Sequence, residues 1–285
     1  MKYSTFTRNL ENYKWYKPIL VMILTWILTM FFEVVLIAIC SIGYALQNGE
    51  AFSFLSMLSA GYDGFDVYSS FGAIAVLGNV VCMIPALMLA SKIVKNRPFS
   101  TYVSVSGKFR KDVFLKGLGI SMVTLGIPDI IYFIVSNDGT GTIRFTVLGF
   151  VICTILGPLQ CIAEEFIFRG LIQQTVGAWF GISIIAIIAQ TIAFGMGHPY
   201  NDIGVISVIV TGMVLGFAAE YTGGLEVSMA FHIVNNMISF YCTGFGFGKV
   251  SADVDILSLI LGMIAELLFV AGIIFFKKKK ILLPE

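Results

Sequence analysis

PILVMILTWILTMFFEVVLIAICSIGYAL, residues 18–46, holds one charged side chain, Glu33, in a run longer than the ~20 apolar residues a helix needs to cross a bilayer. It also exceeds the apolar region of a cleaved signal peptide, so it reads as a helix that stays in the membrane. Working outward, comparable runs lie at 71–91, 117–135, 145–175, 178–197, 203–219, 225–243 and 255–276. The expected fold is therefore all-α, a polytopic membrane bundle of about eight transmembrane helices. Composition agrees: 58% hydrophobic residues, 12% charged residues and a mean hydropathy of +0.91 exclude an ordinary soluble domain. With no internal repeat or low-complexity linker, residues 1–285 read as a single membrane domain.

A net charge of +1 says little about partners, but the charges are sorted along the chain. In an eight-span arrangement one side receives 1–17, 92–116, two short turns and the tail from Lys277, and with them 15 of the 18 Lys and Arg. The other side receives Glu50, Asp63, Asp66, Asp138, Asp202, Asp253 and Asp255 against only Arg144 and Lys249. By the positive-inside rule both termini are cytoplasmic, and the four-lysine tail suits a plasma membrane. The basic loop 92–116 is explained as a topology determinant facing lipid headgroups, and nothing points to nucleic acid. Cys40, Cys82, Cys153, Cys161 and Cys242 stand singly in apolar stretches, without the spacing of a disulfide framework or a zinc knuckle.

Ionisable groups inside a membrane are costly and mark function when they cluster. Glu33, Asp129, Glu226 and Glu266 stand alone, without a polar neighbour at helical spacing, and read as interior-facing or end-snorkelling residues. The fourth run differs. Gly157-Pro158 should break or kink it, and a fresh helical piece follows with Gln160, Glu164, Glu165 and Arg169. Glu165 and Arg169, at i and i+4, can meet on one face as a structural pair. Glu164 is turned ~100° away, stacks with Gln160 and has no cation one turn on, so its charge must be met from another helix. The only two histidines lie on two further runs: Gln190, Phe194 and His198 form one stripe, and Ser228, His232, Asn236 and Ser239 another.

These residues resemble the CPBP intramembrane proteases, the family of type II CAAX prenyl endopeptidases and bacteriocin-processing or immunity (Abi) proteins. Its E-E-x-x-x-R matches Glu164-Glu165-Phe166-Ile167-Phe168-Arg169, its F-x-x-x-H matches Phe194-Gly195-Met196-Gly197-His198, and its H-x-x-x-N matches His232-Ile233-Val234-Asn235-Asn236. With 25 Phe in 285 residues, a Phe and an Asn placed thus around the two histidines would arise about once in 360 such compositions, so the ordered set is specific where each motif is not. The resemblance covers about 145–243, the expected catalytic core. It implies that Glu164 and His198 polarise a water against a peptide carbonyl while His232 and Asn236 donate to the oxyanion, with Glu165, Arg169 and Phe194 as structural support. The partner implied is a peptide or membrane-protein substrate.

Other chemistries stay open at this stage. Glu164, His198 and His232 also make a possible zinc set with water in the fourth position, although H-E-x-x-H is absent and Asn236 suits an oxyanion better than zinc. Gly61-Tyr62-Asp63-Gly64 imitates part of an aspartyl protease motif without its G-x-G-D partner, and Ser183 precedes both histidines with no base beside it. A proton-coupled transporter would predict inverted repeats, which are not evident. The alternative from another class is a non-proteolytic scaffold or regulator serving bacteriocin immunity or a signalling partner.

Overall fold

The structure, a computed structural model, describes residues 2–49, 66–136, 139–249 and 253–283. Glu50, Asp63, Asp138 and the Gly61-Tyr62-Asp63-Gly64 sequence lie outside the described residues. The described chain forms eight principal rods: α1 (Lys17–Asn48), α2 (Ser70–Val94), α3 (Lys111–Ser136), α4 (Val147–Phe180), α5 (Ser183–Met196), α6 (Asp202–Thr222), α7 (Glu226–Gly244) and α8 (Ile256–Lys278). No strand occurs among the described residues, only an isolated bridge between Ser104 and Gly224.

All eight expected runs are helical, but six are long and apolar enough to cross a membrane. The two that fall short are informative. Helix α5 has only 14 residues, and α7 has 19 but carries Glu226, Ser228, His232, Asn235 and Asn236. Both are elements that bring polar residues into the bundle.

Local chemistry sets the helix ends. Ser69, Thr146, Asn201 and Asp255 each accept a backbone N–H three residues on, the N-cap device that satisfies an orphan donor. At the other ends Gly49, Gly181 and Gly223 close α1, α4 and α6 in the left-handed region, at φ of 73°, 73° and 74°. Large apolar side chains point outward on the peripheral helices, as with Trp26 and Leu46 on α1 and Leu267 on α8. In a lipid solvent that exposure is the favourable arrangement.

Helix α7 is the buried centre and packs against α3, α4 and α6. Its first residue, Glu226, is fully buried and not solitary: the backbone N–H and Nε of Arg110 both donate to Oε1 at 2.9 Å, and Nη2 donates to Oε2 at 2.6 Å. Arg110 is 116 positions away, so no helical spacing could have announced the pair. Glu266 of α8 also faces the interior, where the Thr211 hydroxyl of α6 donates to it. The buried carboxylates thus find the partners that a low-dielectric interior demands.

The N-terminal segment is docked against the bundle. Tyr3, Ser4 and Phe6 are buried, the Ser4 N–H donates to Glu220 Oε2 at 2.8 Å, and the Tyr3 hydroxyl donates to the Tyr102 carbonyl. The close approach requires Gly177, where a Cβ would lie 2.4 Å from the Ser4 carbonyl oxygen, a backbone atom that cannot swing aside. Gly177→Val is accordingly expected to lever this segment off. Limited proteolysis would then cut before Lys17 faster than in the wild type while the rods stay protected.

Candidate active site

The site is built from α4, α5 and α7. Helix α4 does not break at Gly157-Pro158: it runs on through Pro158 to Glu165, and its irregularity begins at Phe166, where eight residues to Gln173 wind as a π-helix. Such widened turns recur at functional sites because they re-aim side chains against the regular helical spacing. Glu164 and Glu165 are the last two residues before the change in winding.

The two glutamates then diverge as their sequence neighbours imply. Glu165 is fully buried, with Arg169 Nη1 donating to its Oε1 at 2.8 Å. Arg169 is also enclosed. Its Nη2 reaches the Gly212 carbonyl of α6 at 3.4 Å, and its guanidinium lies 4.4 Å from the Phe194 ring centroid. Glu164 keeps 12% of its side chain exposed, and its Oε2 has no hydrogen-bond partner within the protein. Oε2 is itself enclosed and faces His232, so the exposed part of the side chain lies elsewhere.

His232 of α7 stands between them. Its Nδ1 is 2.9 Å from Glu165 Oε1 and its Nε2 is 3.3 Å from Glu164 Oε2. One turn on, Asn236 donates through Nδ2 to Gln160 Oε1 at 3.1 Å and receives the Asn235 amide on its Oδ1 at 3.0 Å. This chain assigns which end of Asn236 carries the N–H groups. Gln160 in turn sits one helical turn before Glu164, and Cys161 Sγ lies 3.5 Å from its Oε1.

His198 joins through Phe194 and not through a carboxylate. It follows the end of α5, and its Nδ1 lies 2.8 Å from the Phe194 carbonyl, an acceptor, so that nitrogen carries the proton and Nε2 is left as an acceptor. The Phe194 ring centroid is 4.6 Å from that of His198 and 6.0 Å from that of His232. Phe194 therefore separates the two imidazoles and supports Arg169. Among the described residues His198 makes no hydrogen bond to Glu164.

The structure thus brings Glu164, Glu165, Arg169, Phe194 and His232 into direct contact and attaches Asn236 and His198 at the edges. Gln160 and Asn235 belong to the polar network although only Gln160 had a signal, its stacking one turn before Glu164. Tyr200, in the turn after α5, stacks on His198 with centroids 5.8 Å apart and planes 22° from parallel. Desolvation pushes its phenol pKa up, and the nearby Glu164 charge pushes the same way. As for metal, no three His, Cys, Asp or Glu side chains among the described residues are grouped closely enough to hold an ion. His232 Nδ1 is committed to Glu165 and His198 Nδ1 to a carbonyl. Those bonds leave each Nε2 uncommitted, so it is the spacing of Glu164, His198 and His232 among the described residues that does not form the His₂Glu set.

Fold and site together define a multi-pass helical membrane protein with a carboxylate–imidazole–amide cluster enclosed among its helices. Residues 144–238 match the family model described as type II CAAX prenyl endopeptidase Rce1-like, in agreement with the three motifs. The chain is also similar to the Uncharacterized protein YyaK of Bacillus subtilis (strain 168), 26% identical over 165 residues, or 54% of this chain and 55% of the relative. It spans about half the length of that relative. No solved structure matches the chain.

Proposed function

We propose that the protein is an intramembrane endopeptidase of the CPBP type, which hydrolyses a peptide bond with a water activated beside Glu164. The observation that carries this reading is the Glu164 carboxylate itself: 12% exposed, without a cation on its own helix face, and with Oε2 3.3 Å from a His232 nitrogen. In such surroundings a carboxylate binds a water tightly and removes its proton as the oxygen attacks a carbonyl carbon. His198 offers an acceptor nitrogen for the same water, and Tyr200 stacks on its ring. The Asn236 amide, held by Gln160 and Asn235, supplies a fixed N–H to the developing oxyanion. Low dielectric strengthens both effects.

The substrate is a peptide or membrane protein. Prenylated C-termini, leader peptides and secreted signalling peptides all meet the chemistry. The family match supports the first of these, being to a prenyl endopeptidase family. The charge asymmetry supports a plasma-membrane location with both termini cytoplasmic.

The test compares membrane and secreted peptides from cells carrying the wild type, Glu164→Gln or a deletion. A protease predicts peptides that disappear equally in the last two. A scaffold predicts that Glu164→Gln behaves as the wild type, and that result would end the enzymatic reading. With a substrate in hand, Asn236→Ala is expected to lower kcat by about 10²–10³-fold, with KM nearly unchanged, because its N–H acts on charge that exists only in the transition state. Steady-state cleavage in proteoliposomes measures it.

A further inference from the structure

Away from the Glu164 cluster, the outer surface of the bundle carries a groove where the start of α3 meets the end of α8. It has a volume of about 290 Å³, with Lys116, Gly119 and Val123 on the α3 wall and Phe276, Ile281 and Leu282 on the other. The two rods come together at Gly272, where a Cβ would lie 3.1 Å from Ile120 Cγ2. At Gly119 a Cβ would meet nothing within 4 Å, so there the groove is open. Beyond α8 the chain turns back on itself. Lys280 takes the left-handed region at φ 57°, the Ile281 and Leu282 N–H groups both donate to the Phe276 carbonyl at 2.9 and 3.1 Å, and Leu282 is fully buried. This turn completes the second wall.

The walls are hydrocarbon. Thr124, the one hydroxyl among them, donates back to the Ile120 carbonyl at 2.9 Å, so its hydrogen is already committed. Lys116 is the one charged lining residue, and it stands at one end. From there to Thr124 the groove follows α3 for roughly 12 Å along the helix axis. The Lys116 side chain is 37% exposed, and its contact with Asp112 Oδ2 is 3.5 Å long between two solvent-accessible groups. Such a pair is weak and leaves ammonium donors free for a stronger acceptor. The same end carries Lys278, Lys279 and Lys280, all exposed, between the wall residues Phe276 and Ile281 in the chain.

Size and charge together select the occupant. A helix is 10–12 Å across and over the same length would need roughly three times this volume, so the groove is too narrow for a transmembrane segment. A second copy, placed on this face by a two-fold axis along the membrane normal, would set one lysine row against another. An acyl chain suits both the width and the apolar walls, and lysines at one end complement a phosphate whose charge no choline cancels. We propose that the groove between α3 and α8 is a binding site for an anionic phospholipid of the bilayer, with one acyl chain along Gly119 and Val123 and the headgroup phosphate at Lys116 beside the lysine row. The lipid then bridges α3 and the turned-back tail, which approach each other over hydrocarbon alone. This site is separate from the Glu164 cluster and does not depend on the peptidase reading.

Native mass spectrometry of the full-length protein, released from detergent with phosphatidylglycerol or phosphatidylcholine of identical chains added, is the test. One retained phosphatidylglycerol per chain is expected, favoured over phosphatidylcholine by about fivefold or more, the scale of a single lysine at an anionic headgroup. Lys116→Gln is expected to bring the two lipids level. Gly119→Leu, whose side chain enters open space in the groove, is expected to lower the retention of both. Lys92→Gln, an exposed lysine of α2 outside the groove, is expected to leave the preference unchanged. Equal retention of the two lipids by the wild type would overturn the proposal. So would a preference that survives Lys116→Gln or is removed by Lys92→Gln, retention that Gly119→Leu leaves unchanged, or a lipid-free dimer. The Lys116 and Gly119 substitutions act separately on charge and on volume, so either decides alone should the other not fold.

Discussion

Glu164→Gln is expected to lower turnover by about 10²–10⁴-fold, the range that a positioned general base supplies, while leaving the fold and substrate affinity near wild type. The substitution keeps the shape of the side chain and replaces an acceptor by an amide that can donate to His232 Nε2, 3.3 Å away. It changes the 3.3 Å contact with His232 and leaves the enclosed Glu165–Arg169 pair intact. What is lost is the capacity to accept the water's proton. Single-turnover cleavage in proteoliposomes, with the melting transition of the same preparation recorded beside it, separates loss of chemistry from loss of structure. A folded variant that retains wild-type turnover would remove Glu164 from the reaction.

Arg169→Ala has the largest expected effect on stability, about 3–5 kcal/mol, because it strands a buried carboxylate. Both partners are fully buried, and the guanidinium satisfies Glu165 at 2.8 Å, the Gly212 carbonyl at 3.4 Å and the face of Phe194 at 4.4 Å. Arg169→Lys would not restore this, since a lysine ammonium lacks the planar fork and the ring stacking. Removing both charges is the informative comparison. Glu165→Gln combined with Arg169→Met is expected to recover much of the stability and little of the activity, because the pair's partner His232 then loses its anchor. Thermal unfolding in one detergent resolves the three variants. Equal melting of Arg169→Ala and the wild type would contradict the burial argument.

What could be read along the chain was what repeats along a helix. Apolar runs announced eight helices, and the i, i+4 relation of Glu165 and Arg169 announced their ion pair before any packing was known. Glu164's lack of a local cation announced that its partner must come from elsewhere. The contact comes from His232, 68 residues on, whose Nε2 lies 3.3 Å from Glu164 Oε2. Likewise Glu226 stood alone in sequence because Arg110, its bidentate partner, arrives from the loop before α3. At Gly157-Pro158, where a break or kink was expected, the helix runs on, and its winding widens only at Phe166, without a proline to mark it.

By itself, then, the sequence determined solvent, helix number and the residue types present, because lipid imposes a long apolar period that any chain of this composition must show. Tertiary structure alone decided which nitrogen of His232 faces which glutamate, and that Asn236 hangs on Gln160. Hydrogen bonds act over about 3 Å, and such distances between helices are set by how neighbouring rods pack, a quantity that no spacing along one chain records.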